Sequence, residues 1–150
     1  MAIVEDVDAG YRQIIERVRR LDGLEVSAGI LNNAGASSKG VPLVDIAIYN
    51  EFGTRHIPSR PFVRIATDEN VDKWAETAAR GAKKVIDGGE IKKAGETVGR
   101  RMKADIQKVF GDKTRLTPNA RSTILRKGRD EPLVDTGKLR SVVNYRVEGA

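Results

Sequence analysis

Two long runs of apolar residues at helical spacing meet at a pair of glycines in the middle of the chain. The first run extends from Phe62 to about Ile86 and the second from Ile91 to about Phe110, each with its apolar side chains on one face. Gly88-Gly89 separates the runs, because adjacent glycines weaken a helix at the point where they occur. The pattern predicts two long helices, arranged either as an αα-hairpin or as one bent rod.

The segments before these helices predict three further elements. Apolar residues at helical spacing indicate an amphipathic helix over residues 4–21, and alternating apolar and polar residues indicate a strand over residues 24–31. Small and polar residues indicate a loop over residues 32–40. A short helix is predicted over residues 44–52, with Gly53 as a natural residue to end it.

The segment after the long helices predicts mostly irregular structure. Residues 111–134 are basic and rich in turn-forming residues, with one helical turn expected around residues 120–125. A short helix is predicted over residues 136–139, capped by the side chain of Asp135 or Thr136.

A last strand is predicted over residues 141–147, with Val143, Tyr145 and Val147 on one face. We expect it to pair with the strand over residues 24–31 and with one further extended segment. The predicted fold class is therefore α+β, with a small antiparallel sheet packed with an N-terminal helix and two long central helices.

The residue types that the sequence lacks restrict its chemistry. It contains no cysteine, which excludes disulfides and thiolate-bound metals. No apolar stretch approaches the roughly 20 residues that cross a bilayer, and the acidic N-terminus does not match a signal peptide, so we expect a cytoplasmic protein with no membrane partner. The one histidine, His56, has no companion at the spacing of a metal site or a catalytic triad. We expect no metal and no cofactor.

Asp135-Thr136-Gly137 matches the active-site tripeptide of aspartic proteases. Those enzymes bring two such aspartates together to share one proton, so a single copy would require a homodimer. Lys138 follows the tripeptide, and a cation there would disturb the shared proton. The surrounding pattern is also too helical for a protease barrel. We therefore interpret the tripeptide as a turn before a helix, and we predict no enzymatic activity.

Charge is unevenly distributed along the chain. Residues 1–79 carry 9 Lys and Arg against 12 Asp and Glu, whereas residues 80–130 carry 15 against 6. The clustered cations of this basic segment are Lys83, Lys84, Lys92, Lys93, Arg100, Arg101, Lys103, Arg126, Lys127 and Arg129. Such a segment is compatible with a solvated surface, with contact to an acidic neighbouring subunit, or with salt-dependent DNA binding that lacks sequence specificity.

Two segments of the sequence resemble a known family. The first is Ile48-Tyr49-Asn50-Glu51-Phe52-Gly53-Thr54, followed by Ile57-Pro58-Ser59-Arg60-Pro61-Phe62-Val63-Arg64. The second is Thr123-Ile124-Leu125-Arg126-Lys127-Gly128, followed by Pro132-Leu133-Val134-Asp135-Thr136-Gly137-Lys138-Leu139-Arg140-Ser141. In this order they resemble the tail-component and tail-completion (head–tail joining) proteins of long-tailed bacteriophages and prophages, which are related to the virion morphogenesis proteins of Mu-like elements.

The resemblance implies a non-enzymatic structural protein, a single tail-completion-like domain over residues 1–150, that acts by assembly. It would form a ring, by default a hexamer, at the neck or at the head-proximal end of the tail. Its implied partners are copies of itself, connector or neck proteins, and tail tube or tail terminator proteins. It would occupy the bacterial host cytoplasm during assembly and then the virion neck or tail. The alternative is a basic accessory protein that binds DNA without sequence specificity.

The first segment predicts a stiff connection between two helices. Pro58 and Pro61 restrict the backbone, and Arg60 lies between them as a donor that could pair with a neighbour's carboxylate. Phe52 and Phe62 would anchor the two ends of the connection in the core.

The second segment predicts a turn that is pinned to the core. Leu133 and Leu139 would hold the turn, which leaves Arg140 free for contact with another subunit. Intramolecular packing alone is the competing interpretation for each of these residues. The full set of candidate assembly residues is Glu51, Phe52, Arg55, Arg60, Phe62, Arg64, Asp135, Lys138 and Arg140.

Overall fold

The structure is a computed structural model that describes Asp8 and residues 10–150. The helices and strands of this part of the chain are, in order, α1 (Tyr11–Asp22), β1 (Glu25–Ile30), α2 (Leu43–Phe52), α3 (Phe62–Ile86), α4 (Ile91–Val109), α5 (Arg121–Lys127), α6 (Lys138–Ser141) and β2 (Val143–Glu148). The predicted α+β class is confirmed, because a small antiparallel sheet packs with these helices.

The two long helices form an antiparallel hairpin, which decides between the hairpin and the bent rod. Near the turn, Gly81 of α3 lies against Ala94 of α4. Further from the turn, the indole Nε1 of Trp74 donates a hydrogen bond of 2.9 Å to the Oδ2 atom of Asp105. The residue numbers of these pairs decrease along α3 while they increase along α4. This occurs only when the second helix runs antiparallel to the first.

The sheet consists of β1 and β2 in antiparallel register, from Glu25 opposite Glu148 to Ile30 opposite Val143. The predicted pairing of these two strands is confirmed. The prediction of one further extended segment in the sheet is wrong for the residues that the structure describes, which contain two strands and one isolated bridge between Ala36 and Pro42.

The sheet packs directly on α4 through two glycines. A Cβ atom at Gly95 would lie 2.6 Å from the Cγ1 atom of Val147, and one at Gly99 would lie 2.7 Å from the Cγ atom of Tyr145. Real Cβ atoms do not approach other atoms this closely, so the two glycines allow the strand to lie against the helix backbone. They set the distance between the sheet and the hairpin.

The core lies where the start of α3 and the end of α4 meet the sheet. Phe62, Ile106, Val109 and Val143 are fully buried there. The rings of Phe62 and Phe110 are 4.7 Å apart between centroids and tilted by 57°, an arrangement that aromatic pairs favour over face-to-face stacking.

The predicted ends of two helices need correction. Residues 4–7 and 9 of the predicted N-terminal helix lie outside the described residues, whereas Asp8 and Gly10 are described and precede the helix, which begins at Tyr11. The last short helix agrees with the prediction only in part: its N-cap residue is Gly137 and not Asp135 or Thr136, but the Thr136 hydroxyl accepts a hydrogen bond of 3.4 Å from the backbone N–H of Lys138, the first residue of α6. Gly137 makes the turn before α6, with a left-handed backbone of φ 78°.

One buried acid joins the two long helices. Asp105 accepts a hydrogen bond from Trp74 and forms ion pairs with Arg101 at 3.1 Å and with Lys108 at 3.0 Å. Burial of the Asp105 carboxylate raises its pKa, but the hydrogen bonds from Trp74, Lys108 and Arg101 outweigh burial and hold the pKa below its ordinary value. The group is thus an ionised structural link.

Candidate functional site

The connection between α2 and α3 is organised by Glu51. Its Oε2 atom accepts a hydrogen bond from the backbone N–H of Val63, and its Oε1 atom accepts one from that of Arg64, both at 3.0 Å. These are N–H groups of the first turn of α3, which have no partner within the helix. A carboxylate also interacts favourably with the positive end of the helix dipole. The candidate assembly residue Glu51 therefore acts within its own chain as the N-terminal cap of α3.

Removal of this cap should reduce stability moderately. We expect Glu51→Ala to lower the free energy of unfolding by about 1 kcal/mol, the usual value of a helix cap. Glu51→Gln should cost less, because the amide oxygen still accepts one of the two bonds. Urea unfolding followed by circular dichroism measures both changes. Equal stability of Glu51→Ala and the unaltered protein would contradict the capping role.

The two phenylalanines at the ends of this connection have different environments. Phe62 is buried in the core, as predicted, but Phe52 is 69% exposed. The prediction that Phe52 anchors the connection in the core is therefore wrong. Phe52 is the last residue of α2, and the helix ends there because the backbone of Gly53 has a positive φ of 75°.

Arg60 is held by its own chain. Its Nε and Nη2 atoms donate hydrogen bonds to the backbone carbonyls of Thr117 at 2.7 Å and Pro118 at 2.9 Å. Partial burial lowers the pKa of Arg60, and the nearby Asp130 carboxylate raises it, with a net lowering that leaves the guanidinium a cation at neutral pH. Carbonyl oxygens orient the guanidinium but do not neutralise it.

The Asp-Thr-Gly turn lies at the surface beside α5. Asp135 is 74% exposed on its side chain and lies 4.0 Å from the Nζ atom of Lys127. Lys138 donates to the backbone carbonyl of Ala36, and the Lys127 ammonium donates to that of Val134 at 2.7 Å. The side chain of Asp135 thus lies at the surface, with the ammonium group of Lys127 as a neighbouring cation.

The remaining candidate residues lie on the surface. The side chains of Arg55, Arg64 and Arg140 are exposed, and Leu139 beside Arg140 is buried, which agrees with the expected turn. The backbone carbonyl of Arg140 accepts a hydrogen bond from Gln107 of α4 at 3.1 Å. His56 is exposed as well, and its backbone N–H is bonded to the Thr54 hydroxyl. Within the described residues, no group of His, Asp and Glu has the arrangement of a metal site.

A pocket of about 430 Å³ brings the two motif segments together. Asn50 and Arg60 of the first segment line it with Lys127 and residues 133 and 135–139 of the second. Leu43, Ile46 and Leu139 provide apolar walls, and Ser37, Ser38 and Asn119 provide polar ones. Two segments that are 59 positions apart in the chain, from Arg64 to Thr123, thus form one surface feature, which is the candidate site. We call it the motif pocket.

Leu133 in the wall of the motif pocket has a left-handed backbone, with φ 64°. It is the one non-glycine residue with this conformation among those that the structure describes. The left-handed region costs a bulky residue about 1–2 kcal/mol. The turn is held by the Lys127–Val134 bond and by the bond from Gly111 N–H to the Pro132 carbonyl at 2.9 Å.

Two helices present exposed apolar faces. On α1, Tyr11, Ile14 and Val18 lie at helical spacing on one face, and each is exposed. We call this the α1 face. On α2, Ile48, Tyr49 and Phe52 are exposed together at the C-terminal end, and we call this the α2 face.

The two faces lie at opposite ends of α3. The Nη1 atom of Arg17 in α1 bonds to the carbonyl of Ile86 at 2.9 Å, whereas Glu51 in α2 bonds to Val63. At about 1.5 Å per residue, these two points of α3 are separated by about 34 Å. The chain therefore presents two distinct apolar surfaces rather than one continuous patch.

The basic residues of the hairpin border a groove between α3 and α4. Arg80, Lys84, Lys93, Arg100 and Arg101 line it, together with Glu90 and Glu96. Several of these cations are paired with acids, since Lys93 lies 2.8 Å from Glu90, Arg100 lies 3.4 Å from Glu96, and Arg101 is bound to Asp105.

Comparison of the chain with protein-family models, with curated proteins and with solved structures gives no match. Among the described helices, no stretch combines the length and the hydropathy that a bilayer-spanning helix requires.

Sequence reasoning missed three residues of structural or chemical weight. Asp105 lies four residues after Arg101 and three residues before Lys108 on α4, and it forms ion pairs with both. This helical spacing of opposite charges is visible in the sequence and could have identified Asp105. Lys127 was named in a basic cluster and in the second motif segment but not among the candidate assembly residues, although its side chain is only 11% exposed. Asn119 gave no sequence signal, because nothing local distinguishes it from an ordinary turn residue.

Proposed function

We propose that this protein is a non-enzymatic structural component of a bacteriophage or prophage tail, which acts in head–tail joining or tail completion by assembling as a ring. The two motif segments support the assignment to a tail. The observation that carries the assembly role is the pair of apolar faces at opposite ends of α3. Exposed apolar faces favour association with other protein surfaces.

Two different faces favour head-to-tail association. A twofold dimer joins a surface to its own copy, whereas a ring joins one surface to a different one and closes when the rotation between subunits permits it. An α1 face that contacts the α2 face of the next subunit repeats in one direction and generates such a ring. A hexamer is the expected order, because tails of this kind are usually sixfold.

A deletion tests the biological role. The phage or prophage that encodes this protein, when it lacks the gene, should accumulate filled heads together with unattached or defective tails, visible by electron microscopy. Supply of the protein from a plasmid should restore joined particles. Normal joining of heads and tails in the deletion strain would overturn the proposal.

Charge substitutions test the two faces. We expect Ile14→Glu on the α1 face and Phe52→Glu on the α2 face each to prevent ring formation, because a buried carboxylate without a partner destabilises an interface by several kcal/mol. Native mass spectrometry or size-exclusion chromatography with light scattering measures the assembly. Leu125→Glu is the control, since Leu125 is also exposed but belongs to neither face.

Mixing the two variants distinguishes head-to-tail contact from twofold contact. Each variant keeps one intact face, and the intact faces are complementary, so an equal mixture should form a heterodimer that cannot grow. Twofold contacts would instead allow one variant alone to form its dimer. Assembly of both variants like the unaltered protein would contradict the assigned faces.

The DNA-binding alternative has less support. The pairing of Lys93, Arg100 and Arg101 with acids reduces the charge that the hairpin offers to phosphates. Binding through phosphates would be strongly salt-dependent. Absence of a gel shift with duplex DNA at low salt would remove this alternative.

A further inference from the structure

The motif pocket collects positive charge that its own chain does not neutralise. Arg60, Lys127 and Lys138 all line it, and each donates to backbone carbonyl oxygens. A carbonyl satisfies the hydrogen bond but carries no formal charge. The acids in or near the pocket are Asp135, which is mostly exposed and 4.0 Å from Lys127, and Asp130, which acts on Arg60. Three cations thus face two acids, of which one lies largely in solvent.

A polar group at the same pocket also lacks a partner. The Nδ2 atom of Asn119 is the one buried side-chain nitrogen or oxygen without a hydrogen bond among the described residues. A buried donor of this kind costs about 1–3 kcal/mol. Asn119 lines the motif pocket beside Arg60, Lys127 and Lys138. The backbone N–H of Asn119 is already bound to Asp130 at 3.0 Å, which fixes the position of the residue.

The walls of the pocket add an apolar component. Leu43, Ile46, Leu133 and Leu139 line it beside the cations. A volume of about 430 Å³ lies within the range of pockets that bind small ligands or a few side chains. A free phosphate would use only the cations, whereas a peptide with an acidic residue next to an apolar one would use both kinds of wall.

We propose that the motif pocket binds the carboxylate of an acidic side chain in a peptide segment of a partner protein, with a neighbouring apolar side chain against the leucines. Arg60, Lys127 and Lys138 supply the charge, and Asn119 supplies a donor. This inference rests on the proposed function in one respect: the peptide would belong to a tail or neck partner.

Peptide binding tests the site directly. The probes are acetyl-Leu-Glu-Leu-amide and acetyl-Leu-Gln-Leu-amide, which differ by one charge and have nearly the same shape. Saturation-transfer NMR with the full chain detects the signals of the peptide. It can therefore be used whether the protein is a monomer or a ring. We expect the Glu peptide to bind in the millimolar range and the Gln peptide to bind at least about tenfold more weakly, a difference of about 1.4 kcal/mol.

Variants connect the binding to the pocket. Lys127→Gln and Lys138→Gln should each weaken binding of the Glu peptide about 3- to 10-fold, an estimate from the strength of charge-assisted bonds. Lys73→Gln, at an exposed lysine of α3 outside the pocket, is the matched control. Asn119→Leu removes the unpartnered donor, so it should weaken binding while thermal stability stays the same or rises. A merely structural role of Asn119 would lower stability instead.

The remaining outcomes each decide against the proposal. Equal binding of the Glu and Gln peptides would show that charge does not matter. Binding of inorganic phosphate without binding of the Glu peptide would identify a free-anion site. No binding of any probe would overturn the site, whereas ring formation and head–tail joining would still test the proposed function separately.

Discussion

Replacement of Gly99 by alanine should destabilise the protein by about 2 kcal/mol, within the usual range for overpacking a well-packed site. At most helix positions the same change stabilises by up to about 1 kcal/mol, because alanine has the higher helix propensity. Here the new Cβ atom would lie 2.7 Å from the Cγ atom of Tyr145, close to the root of a side chain that strand β2 holds in place. The ring can move away only by giving up its packing against α4, so we expect overpacking to outweigh propensity.

Removal of the Tyr145 ring provides the control for this prediction. In a Tyr145→Ala background, Gly99→Ala should no longer destabilise and should show the small gain that helix propensity predicts. Urea unfolding of the four proteins of this cycle measures the coupling. If Gly99→Ala alone unfolds at the same urea concentration as the unaltered protein, the close packing of β2 on α4 is wrong.

Replacement of Asp105 by asparagine should also lower the free energy of unfolding, by about 2–3 kcal/mol at neutral pH. Asp105 is the buried charge that accepts bonds from Trp74, Arg101 and Lys108. Asparagine removes the charge and presents an NH₂ group to two cations, so charge-assisted bonds are lost. The matched control is Glu96→Gln on the same helix, which removes only the surface pair with Arg100 and should change stability by less than about 0.5 kcal/mol.

The stability lost in Asp105→Asn should depend on pH in a defined direction. Because the pKa of Asp105 is lowered in the folded protein, the unfolded chain takes up a proton first as the pH falls. Asp105 therefore contributes its full stabilisation above about pH 5. This stabilisation begins to fall below about pH 4, near the ordinary pKa of an aspartate, and it is lost as the pH passes through the lower pKa of the folded protein. The difference in stability between the unaltered protein and the variant should shrink over that range.

Unfolding can be followed by the fluorescence of Trp74, the single tryptophan, which lies at the substituted site. Hydrogen bonds from Thr114 and Arg115 lower the pKa of Asp112 to about 2. Asp112 titrates in both proteins, so its contribution cancels in the difference between their stabilities. A stability difference between the unaltered protein and Asp105→Asn that stays constant down to pH 2 would show that Asp105 does not act through its charge.

Local patterns predicted most of the secondary structure. The expected helix from Phe62 to Ile86 has those bounds in the structure, and the short helix and both strands agree within two residues. Periodicity succeeds here because each element buries one face, and the spacing of that face is recorded in adjacent residues. The errors fall at helix ends, such as the start of α6, where Gly137 is the N-cap residue rather than Asp135 or Thr136.

The candidate site was predictable only in part. Arg60 and Lys138 were identified from the motif segments, and both line the motif pocket. Glu51 was identified as well, but as an assembly residue, and its bonds to Val63 and Arg64 show a capping role. Motifs indicate which residues are noteworthy, whereas the partner of each side chain depends on which elements meet in space.

The sequence by itself determined the two long helices around Gly88-Gly89, the two strands and the α+β class. Only the tertiary structure decided that the helices form a hairpin, that Phe52 is exposed, and that Asn119 joins Arg60 and Lys138 at one pocket. The physical reason is that periodicity is a property of neighbouring residues, while the contacts around the motif pocket join residues as far apart as Arg60 and Thr117 or Lys138 and Ala36, which are 57 and 102 positions apart. Such contacts exist only after the long helices and the sheet have packed together.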